Sequence, residues 1–377
     1  MTLAIEILGP DVLEQLPRGA RSDEEGALRY TCALVRDGAR SYIDNAEVRT
    51  KALVVDGKVL PLVLAKTGGE NSHVCSPRSH YVRYLAAERA MRHPRVPRLL
   101  FRAAALPSGL GLRLGGIDEV VYVNNWLFPT NPRPGLSSDQ IGRVTAKLTA
   151  TYPRSAIVLR SVNPHVDQAA FDALQHNGFR LVRSRRVYVL DTAGGRHLAH
   201  ANVRRDLDLL RHAPYEIVGS PQDLETHVGR LTALYRDLYL CKYPDLNPQF
   251  NARFFALTLR DEVLTYRALR RGDRIDAFVA YFVRDGTLTG TLIGYDRQLP
   301  SRLGLYRMAV AVLIAEATAR ALLLNMSAGA GRFKMLRGGR PVDEFDAIFD
   351  RHLPWPRRLA WTALTMASNR GRLRTRG

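Results

Sequence analysis

The chain has 377 residues, enough for two domains, and 46% of them are hydrophobic, enough for a folded core. Its formal net charge of +19 favours polyanionic partners such as nucleic acid, an anionic membrane surface or a phosphorylated cosubstrate. Three distant cysteines form no disulfide framework or zinc spacing, and they favour a cytoplasmic protein. No signal peptide is expected, because the first residues lack a basic segment and carry early acids. No membrane span is expected, because the apolar stretch 308–324 is short and contains Glu316 and Arg320.

The first half of the chain alternates strand and helix patterns. Asp56-Gly57 between two apolar runs predicts a hairpin, and Gly178 is positioned to end a helix. The predicted elements are a strand at 30–35, a hairpin of 51–55 and 59–64, a helix at 79–91, a strand at 119–128, a helix at 138–152, a strand at 156–162, a helix at 167–177 and a strand at 179–190.

The second half repeats this order after a joint at Gly194-Gly195. Its predicted elements are helices at 201–212 and 222–240, strands at 263–269, 275–283 and 287–295, a helix at 303–319 and a strand at 321–326. The repeated order of hairpin, strand, helix and strand predicts a divergent structural duplication of α/β class. We expect an N-terminal half at 1–195, a C-terminal half at 196–354 and a basic tail at 355–377.

One segment, 325–338 (NMSAGAGRFKMLRG), is unusual in composition. The chain has 49 arginines and only six lysines, and one of those lysines, Lys334, lies here among glycines. A lysine offers a compact ammonium where arginine offers a planar fork, so the choice at this position suggests a specific role. The simpler alternative is one surface cation among many.

Two parts of the sequence resemble a known superfamily. The segment 163–188 (NPHVDQAAFDALQHNGFRLVRSRRVY) resembles the end of a GNAT acyltransferase fold. GAGRFKMLRG and the basic helix ANVRRDLDLLR resemble the Fem-type branch of that superfamily. The resemblance implies tandem GNAT-like (acyl-CoA N-acyltransferase-like) folds, with mixed sheets flanked by helices. Known Fem-type proteins transfer an amino acid from aminoacyl-tRNA to an amine, and other relatives use acyl-CoA or carrier-bound acyl groups.

The GNAT resemblance also implies where a cosubstrate binds. In that fold, acyl-CoA enters a gap between two parallel strands, and its pyrophosphate lies on a helix N-terminus, a favourable site for phosphate. Neither 129–143 nor 296–306 contains the full glycine loop of the family, and only Gly304 matches it. The predicted cosubstrate-binding residues are Arg302, Leu303, Gly304, Leu305 and Arg307.

Acyl transfer to an amine by direct attack needs a base, a polarised carbonyl and a proton for the leaving group. Lys334 is predicted to stabilise the oxyanion, as the Fem-type resemblance suggests. Asp296 is predicted to act as a base or to orient the amine, and Tyr306 to protonate the leaving group. A turn aspartate and a packing tyrosine are the simpler alternatives for the last two. The sequence contains neither a nucleophile elbow nor a Cys-His signature, so it gives no indication of a covalent intermediate.

The predicted substrate-binding residues come from both halves: Asn124, Asn125, Trp126, Gly329, Gly331, Phe333 and His80. A core tryptophan with asparagine turns, and a plain helix entry around His80, are the alternatives. His73, Cys75 and His80 lack a fourth ligand, so no metal site is expected.

Three functions fit these features. The first is an N-acyltransferase that moves an acyl group from acyl-CoA to a small-molecule amine, with no tightly bound cofactor. The second is a Fem-type transferase that takes its group from aminoacyl-tRNA or a carrier protein, which the positive charge favours. The third is a non-catalytic protein that binds nucleic acid or a membrane surface. The C-terminal half is expected to be catalytic, and the N-terminal half to bind the acceptor or to be structural. The basic tail could contact nucleic acid or a membrane surface peripherally, and a docked helix with a solvated end is the alternative.

Overall fold

The structure is a computed structural model, and it describes residues 5–13, 22–66, 71–92, 95, 97, 100–101, 109–241 and 246–370. The chain forms two compact units. The first unit comprises Met1–Ser184, Tyr243–Gln249 and Glu344–Gly377, and the second comprises Arg185–Lys242 and Phe250–Asp343. Neither unit is continuous in sequence, whereas the predicted halves 1–195 and 196–354 are; the functions assigned to those halves stay predictions.

The helices and strands alternate along most of the chain. The helices are α1 (Pro10–Leu13), α2 (Ser22–Asp37), α3 (Leu85–Arg92), α4 (Ser138–Thr151), α5 (Gln168–His176), α6 (Ala201–His212), α7 (Pro221–Glu225), α8 (Val228–Tyr239), α9 (Ala252–Arg260), α10 (Leu305–Ala319), α11 (Gly331–Met335) and α12 (Trp355–Arg370). The strands are β1 (Ile5–Leu8), β2 (Arg49–Val55), β3 (Lys58–Ala65), β4 (Val120–Val123), β5 (Ala156–Val162), β6 (Arg180–Asp191), β7 (Glu216–Val218), β8 (Thr265–Arg271), β9 (Arg274–Arg284), β10 (Thr287–Tyr295), β11 (Leu323–Asn325) and β12 (Arg340–Phe349).

In the first unit the strand order is β1-β2-β3-β4-β5-β12. All neighbours are antiparallel except β4 and β5. The predicted hairpin is confirmed, with positive φ at Asp56 (50°) and Gly57 (85°) in its turn. Apolar side chains of the strands, α4 and α5 form its core.

In the second unit the strand order is β6-β11-β10-β9-β8-β7, and the parallel pair is β10 and β11. Both units therefore share one topology, with a single parallel pair, which agrees with the predicted duplication. The two units exchange one strand each. The late strand β12 pairs with β5 in the first unit, and the end of the earlier strand β6 pairs with β11 in the second. The core of the second unit lies largely around α10, all of whose central residues are apolar.

Several predicted elements were wrong. The strand expected at 30–35 is part of helix α2, where Tyr30 and Leu34 are fully buried and Arg29 and Arg36 are exposed. This spacing of about one turn is helical, and it outweighs the strand propensity of the residues. The helix expected at 222–240 is two helices, α7 and α8. The helix expected at 79–91 begins as a π-helix, Ser79–Tyr84.

Candidate functional site

The parallel strands of the second unit separate soon after they meet. Only Thr287–Thr289 of β10 pairs with β11, and β10 then continues alone on that side to Tyr295. The pairing of β10 with β9 is also irregular between Gly290 and Leu292, at a bulge. An opening therefore lies between β10 and the end of β11, on the carboxyl side of their short parallel pairing, the usual region for ligands in α/β sheets.

Helix α10 is the α-helix that follows β10 in the sequence, and its first turn is not capped by a side chain. Gly304 precedes it with φ of 68°, and a Cβ there would lie 2.7 Å from Leu209 of α6. In contrast, α4 of the first unit begins with a complete capping box between Ser137 and Gln140. Among the residues that the structure describes, no side chain caps the first amide groups of α10, an arrangement that suits an anion.

The predicted cosubstrate-binding residues flank this helix end. Leu305 is buried, Leu303 and Arg307 are half-buried, and Arg302 is exposed. Arg307, in the first turn of α10, is the one with a defined ionic partner, because its Nε donates to Asp206 Oδ1 at 2.7 Å.

Asp206 is a site residue that the sequence predictions missed. It is 1% exposed on α6, and its second oxygen accepts a hydrogen bond of 2.5 Å from Arg337 Nε. One buried carboxylate therefore fixes two guanidinium groups, one from α10 and one that follows α11. A signal was present in the sequence: Asp206 lies three residues after Val203 and four before Leu210, on the apolar face of α6. A charged residue at such a position needs a partner.

Lys334 is held by its own loop. It is 4% exposed, and its Nζ donates to the backbone oxygens of Met326 (2.6 Å), Ala328 (2.8 Å) and Ser327 (3.1 Å). Three acceptors match the three donors of an ammonium group. Burial, followed by the charge of Arg185, lowers its pKa to about 7, while the three carbonyl oxygens favour the protonated form.

The glycines of this loop have different functions. Gly329 has φ of 79° with no atom within 4 Å of a built Cβ, so it is needed for the backbone turn. A Cβ on Gly331 would instead collide with the hydroxyl of Tyr188, the ring that lies 5.6 Å from Lys334 Nζ. Close packing, and not only backbone freedom, therefore explains the glycine at 331.

Two aromatic residues predicted for the site lie together. The rings of Tyr306 and Phe333 are 4.8 Å apart, and the guanidinium of Arg337 stacks on Phe333 at 3.3 Å. Burial raises the pKa of Tyr306 to about 12, which keeps its phenol protonated at neutral pH. The structure thus brings together Tyr306, Phe333 and the two arginines around Asp206.

Asp296 has little capacity to act as a base. Burial would raise its pKa, but hydrogen bonds from Arg230, the amide of Gln298 and Arg274 outweigh burial and lower it. The Arg230 and Gln298 bonds measure 2.7 and 2.9 Å. A carboxylate with both oxygens engaged and a lowered pKa is a weak proton acceptor, so the geometry favours the turn role that the sequence left open.

In the first unit, the predicted substrate-binding residues after β4 are buried. Asn124 accepts from Trp126 Nε1 at 2.8 Å and donates to Pro132 O, and Asn125 donates to Val74 O at 2.9 Å. These bonds fix the loop itself, which favours the alternative of a tryptophan anchor with asparagine turns.

His80 lies in the π-helical turn of the first unit and is 8% exposed. Its Nε2 is 2.9 Å from Ser184 Oγ, and the next residue, Tyr81, donates to Asp346 at 2.8 Å. His73 lies 5.8 Å away, ring to ring. In the described part of the chain, no three His, Cys, Asp or Glu side chains are grouped as metal ligands.

Comparisons with known proteins bear on the fold. No protein-family profile and no curated protein sequence matches the chain. Among solved structures, the chain is similar to FemX, with a TM-score of 0.50 and 8% identity over 95% of this chain and 100% of FemX. It is also similar to a conserved protein of unknown function from Bacteroides thetaiotaomicron (TM-score 0.48, 13% identity, 92% of this chain and 100% of that one). A third match is the C-terminal domain of a putative lysylphosphatidylglycerol synthetase from Agrobacterium fabrum (TM-score 0.44, 12% identity, 64% and 80%).

The match to FemX extends over nearly the whole of both chains and shows that they share a fold. The predicted tandem fold, the fold that FemX has, is therefore confirmed. Each unit contains a mixed sheet with flanking helices.

Proposed function

We propose that the protein is a transferase that moves an aminoacyl or acyl group from a phosphate-bearing donor to an amine, with aminoacyl-tRNA as the preferred donor and acyl-CoA as the alternative. The observation that carries the proposal is the second unit's opening between β10 and β11, followed by a helix whose first turn is uncapped and carries Arg307. Such a helix end favours a phosphate group.

The choice of donor is supported by charge and by fold. A net charge of +19 suits tRNA, a large polyanion. The fold is shared with FemX, and the family's acyl-CoA loop is incomplete in this chain. In the proposed reaction the acceptor amine attacks the donor carbonyl, a C–N bond forms, and the C–O or C–S bond to the leaving group breaks. The proton that the amine loses replaces the proton that Tyr306 gives to the leaving group, so the phenol is restored.

The chain's residues would contribute mainly charge and position. Arg307 would contact the donor phosphate, with Asp206 as the residue that positions it. Tyr306, protonated at neutral pH, would give a proton to the leaving group. Lys334 would act on the carbonyl oxygen only after giving up a backbone acceptor, because all three of its donors are engaged.

Donor binding is the first test. The thermal unfolding midpoint of the full chain should rise with aminoacylated total tRNA and stay unchanged with acetyl-CoA or longer acyl-CoAs. A rise with CoA esters alone would assign the alternative donor. The transferase proposal fails if neither class binds, or if label on the aminoacyl group never reaches an added amine.

Asp206→Asn tests the helix end directly. We expect at least a tenfold loss of donor affinity, since the variant removes the charge that fixes Arg307 and Arg337. Asp208→Asn, two residues along α6, is the matched control because Asp208 is 55% exposed and pairs with an exposed arginine. Urea unfolding establishes that both variants are folded. A folded Asp206→Asn protein with wild-type donor affinity would exclude this helix end as the donor site.

A further inference from the structure

Exposed large apolar side chains are concentrated on one part of the first unit. Trp355 is 70% exposed, Leu359 55% and Met366 55%, all on α12. Separations of four and seven residues place them on one face of that helix. The opposite face is buried through Trp361 (1% exposed) and Leu364 (6%). Helix α12 is therefore docked by one face and presents an apolar stripe on the other.

A neighbouring segment adds to this stripe. Residues 109–114 are helical, with Leu110 58% exposed and Leu114 81% exposed, four residues apart. The segment adjoins α12, since a Cβ on Gly115 would lie 2.5 Å from that of Ala360. Arg357 of α12 also donates to Gly116 O at 3.1 Å. We name the exposed side chains of 109–114 and α12 the apolar patch.

The two segments that form the apolar patch carry only basic charges. Neither 109–117 nor 351–370 contains an acidic residue, and 351–370 contains four arginines, of which Arg357 pairs with Glu119. Arg113, Arg351 and Arg358 are exposed. Apolar side chains beside arginines, with an exposed tryptophan at the start of the helix, are the composition of helices that lie in a membrane interface.

We propose that the apolar patch docks the protein onto an anionic membrane surface, with α12 lying in the plane of the interface. None of the described helices is long and apolar enough to cross a bilayer, so the contact would be peripheral. The aliphatic side chains at its centre distinguish it from a nucleic-acid site, where arginines and stacking aromatics contact the ligand. Self-association through the same patch would bring like charges together in a two-fold dimer.

Trp355 supplies a specific reporter for this contact. Of the three tryptophans, Trp126 and Trp361 are buried at 3% and 1% exposure, so a change in emission on binding reports Trp355. On addition of vesicles of phosphatidylcholine and phosphatidylglycerol in a ratio of about 7:3, whose anionic surface attracts basic segments, we expect a blue shift and quenching by brominated lipid. Pure phosphatidylcholine vesicles should give little of either. Trp355→Phe should remove the signal while the protein still binds in cosedimentation.

The binding test uses surface variants that leave the core unchanged. Leu359→Ser with Met366→Ser should lower affinity for the anionic vesicles at least tenfold, because both side chains lose apolar burial in the interface. Ile217→Ser is the matched control, since Ile217 is 47% exposed in the second unit and far from the patch in sequence. Arg358→Gln should reduce the preference for anionic over neutral vesicles.

The proposal is overturned if the wild-type chain does not bind anionic vesicles, or if the double variant binds as well as Ile217→Ser. Vesicle-independent dimerisation that the double variant abolishes would assign the patch to a second copy instead. RNA binding lost in the double variant, without vesicle binding, would assign it to nucleic acid. These outcomes do not depend on donor binding, so this proposal and the proposed transferase function can fail separately.

Discussion

At the scale of single residues, Lys334 illustrates how a rare residue type can have a structural cause. Three backbone oxygens converge on one point inside the second unit, and a compact ammonium reaches all three. The planar fork of arginine would not fit that arrangement. The sequence indicated that lysine was specific here, but only the fold identified the loop carbonyls as its partners.

This burial predicts a pH dependence of stability. The pKa of Lys334 is about 7 when folded and near 10.5 when unfolded, so between these values the unfolded chain binds more protons. Wild-type unfolding free energy should therefore rise with pH from about 7 to about 10.5 relative to Lys334→Met, by no more than about 1.4 kcal/mol per pH unit. Urea unfolding of both proteins across this range measures the difference, and parallel curves would contradict it.

At the scale of elements, the two compact units share one topology but differ at the N-terminus of the helix that connects their parallel strands. Helix α4 has its capping box, whereas α10 follows a glycine in the left-handed region and has no side-chain cap. A capped helix is satisfied internally, while an uncapped one leaves amide groups for a ligand. This difference, and not the shared topology, is the reason why we propose the donor site in the second unit.

Comparing Gly304→Ala with Gly272→Ala separates the effect of backbone strain from an effect on donor binding at the start of α10. Both positions have positive φ, 68° and 58°, so backbone strain should cost each variant about 1–2 kcal/mol of unfolding free energy. Only Gly304→Ala should also weaken donor binding, because its Cβ would press on Leu209, whereas Gly272 has open space around it. Thermal shift with the donor compares the two; equal donor binding would show that the α10 start is not used.

At the scale of the whole molecule, the exchange of strands makes the first unit depend on residues that are distant in sequence. The first unit needs β12 beside β5, and also the buried face of α12 with Trp361. Both come from the last part of the chain. A unit built in this way lacks this strand until Arg340–Phe349 has been synthesised.

A fragment of residues 1–195 is therefore expected not to fold. It would leave the edge of β5 unpaired, and an unpaired internal strand favours aggregation. Size-exclusion chromatography and thermal unfolding of the fragment, with the full chain as the control, test this expectation. A monomeric fragment with a cooperative transition would show that the first unit does not require β12.

Much of the fold followed from local pattern. The strand at Ala156–Val162, the helix at Ala201–His212, the strand at Thr287–Tyr295 and the turn at Asp56-Gly57 are where the sequence predicted them, because periodicity and turn chemistry act within a few residues. The strand predicted at 30–35 failed because buried strand and buried helix segments look alike over six residues.

The sequence by itself determined the α/β class and the repeated order of elements, and it identified the segment around Lys334 as unusual. Each of these depends only on residues that are neighbours in the chain. The tertiary structure alone decided that β6 and β12 are exchanged, that Asp206 joins Arg307 and Arg337, and that Asn124 and Asp296 are engaged in internal hydrogen bonds. These contacts join residues from 8 to more than 100 positions apart, and no periodic signal in the chain specifies which distant partner a buried polar group will find.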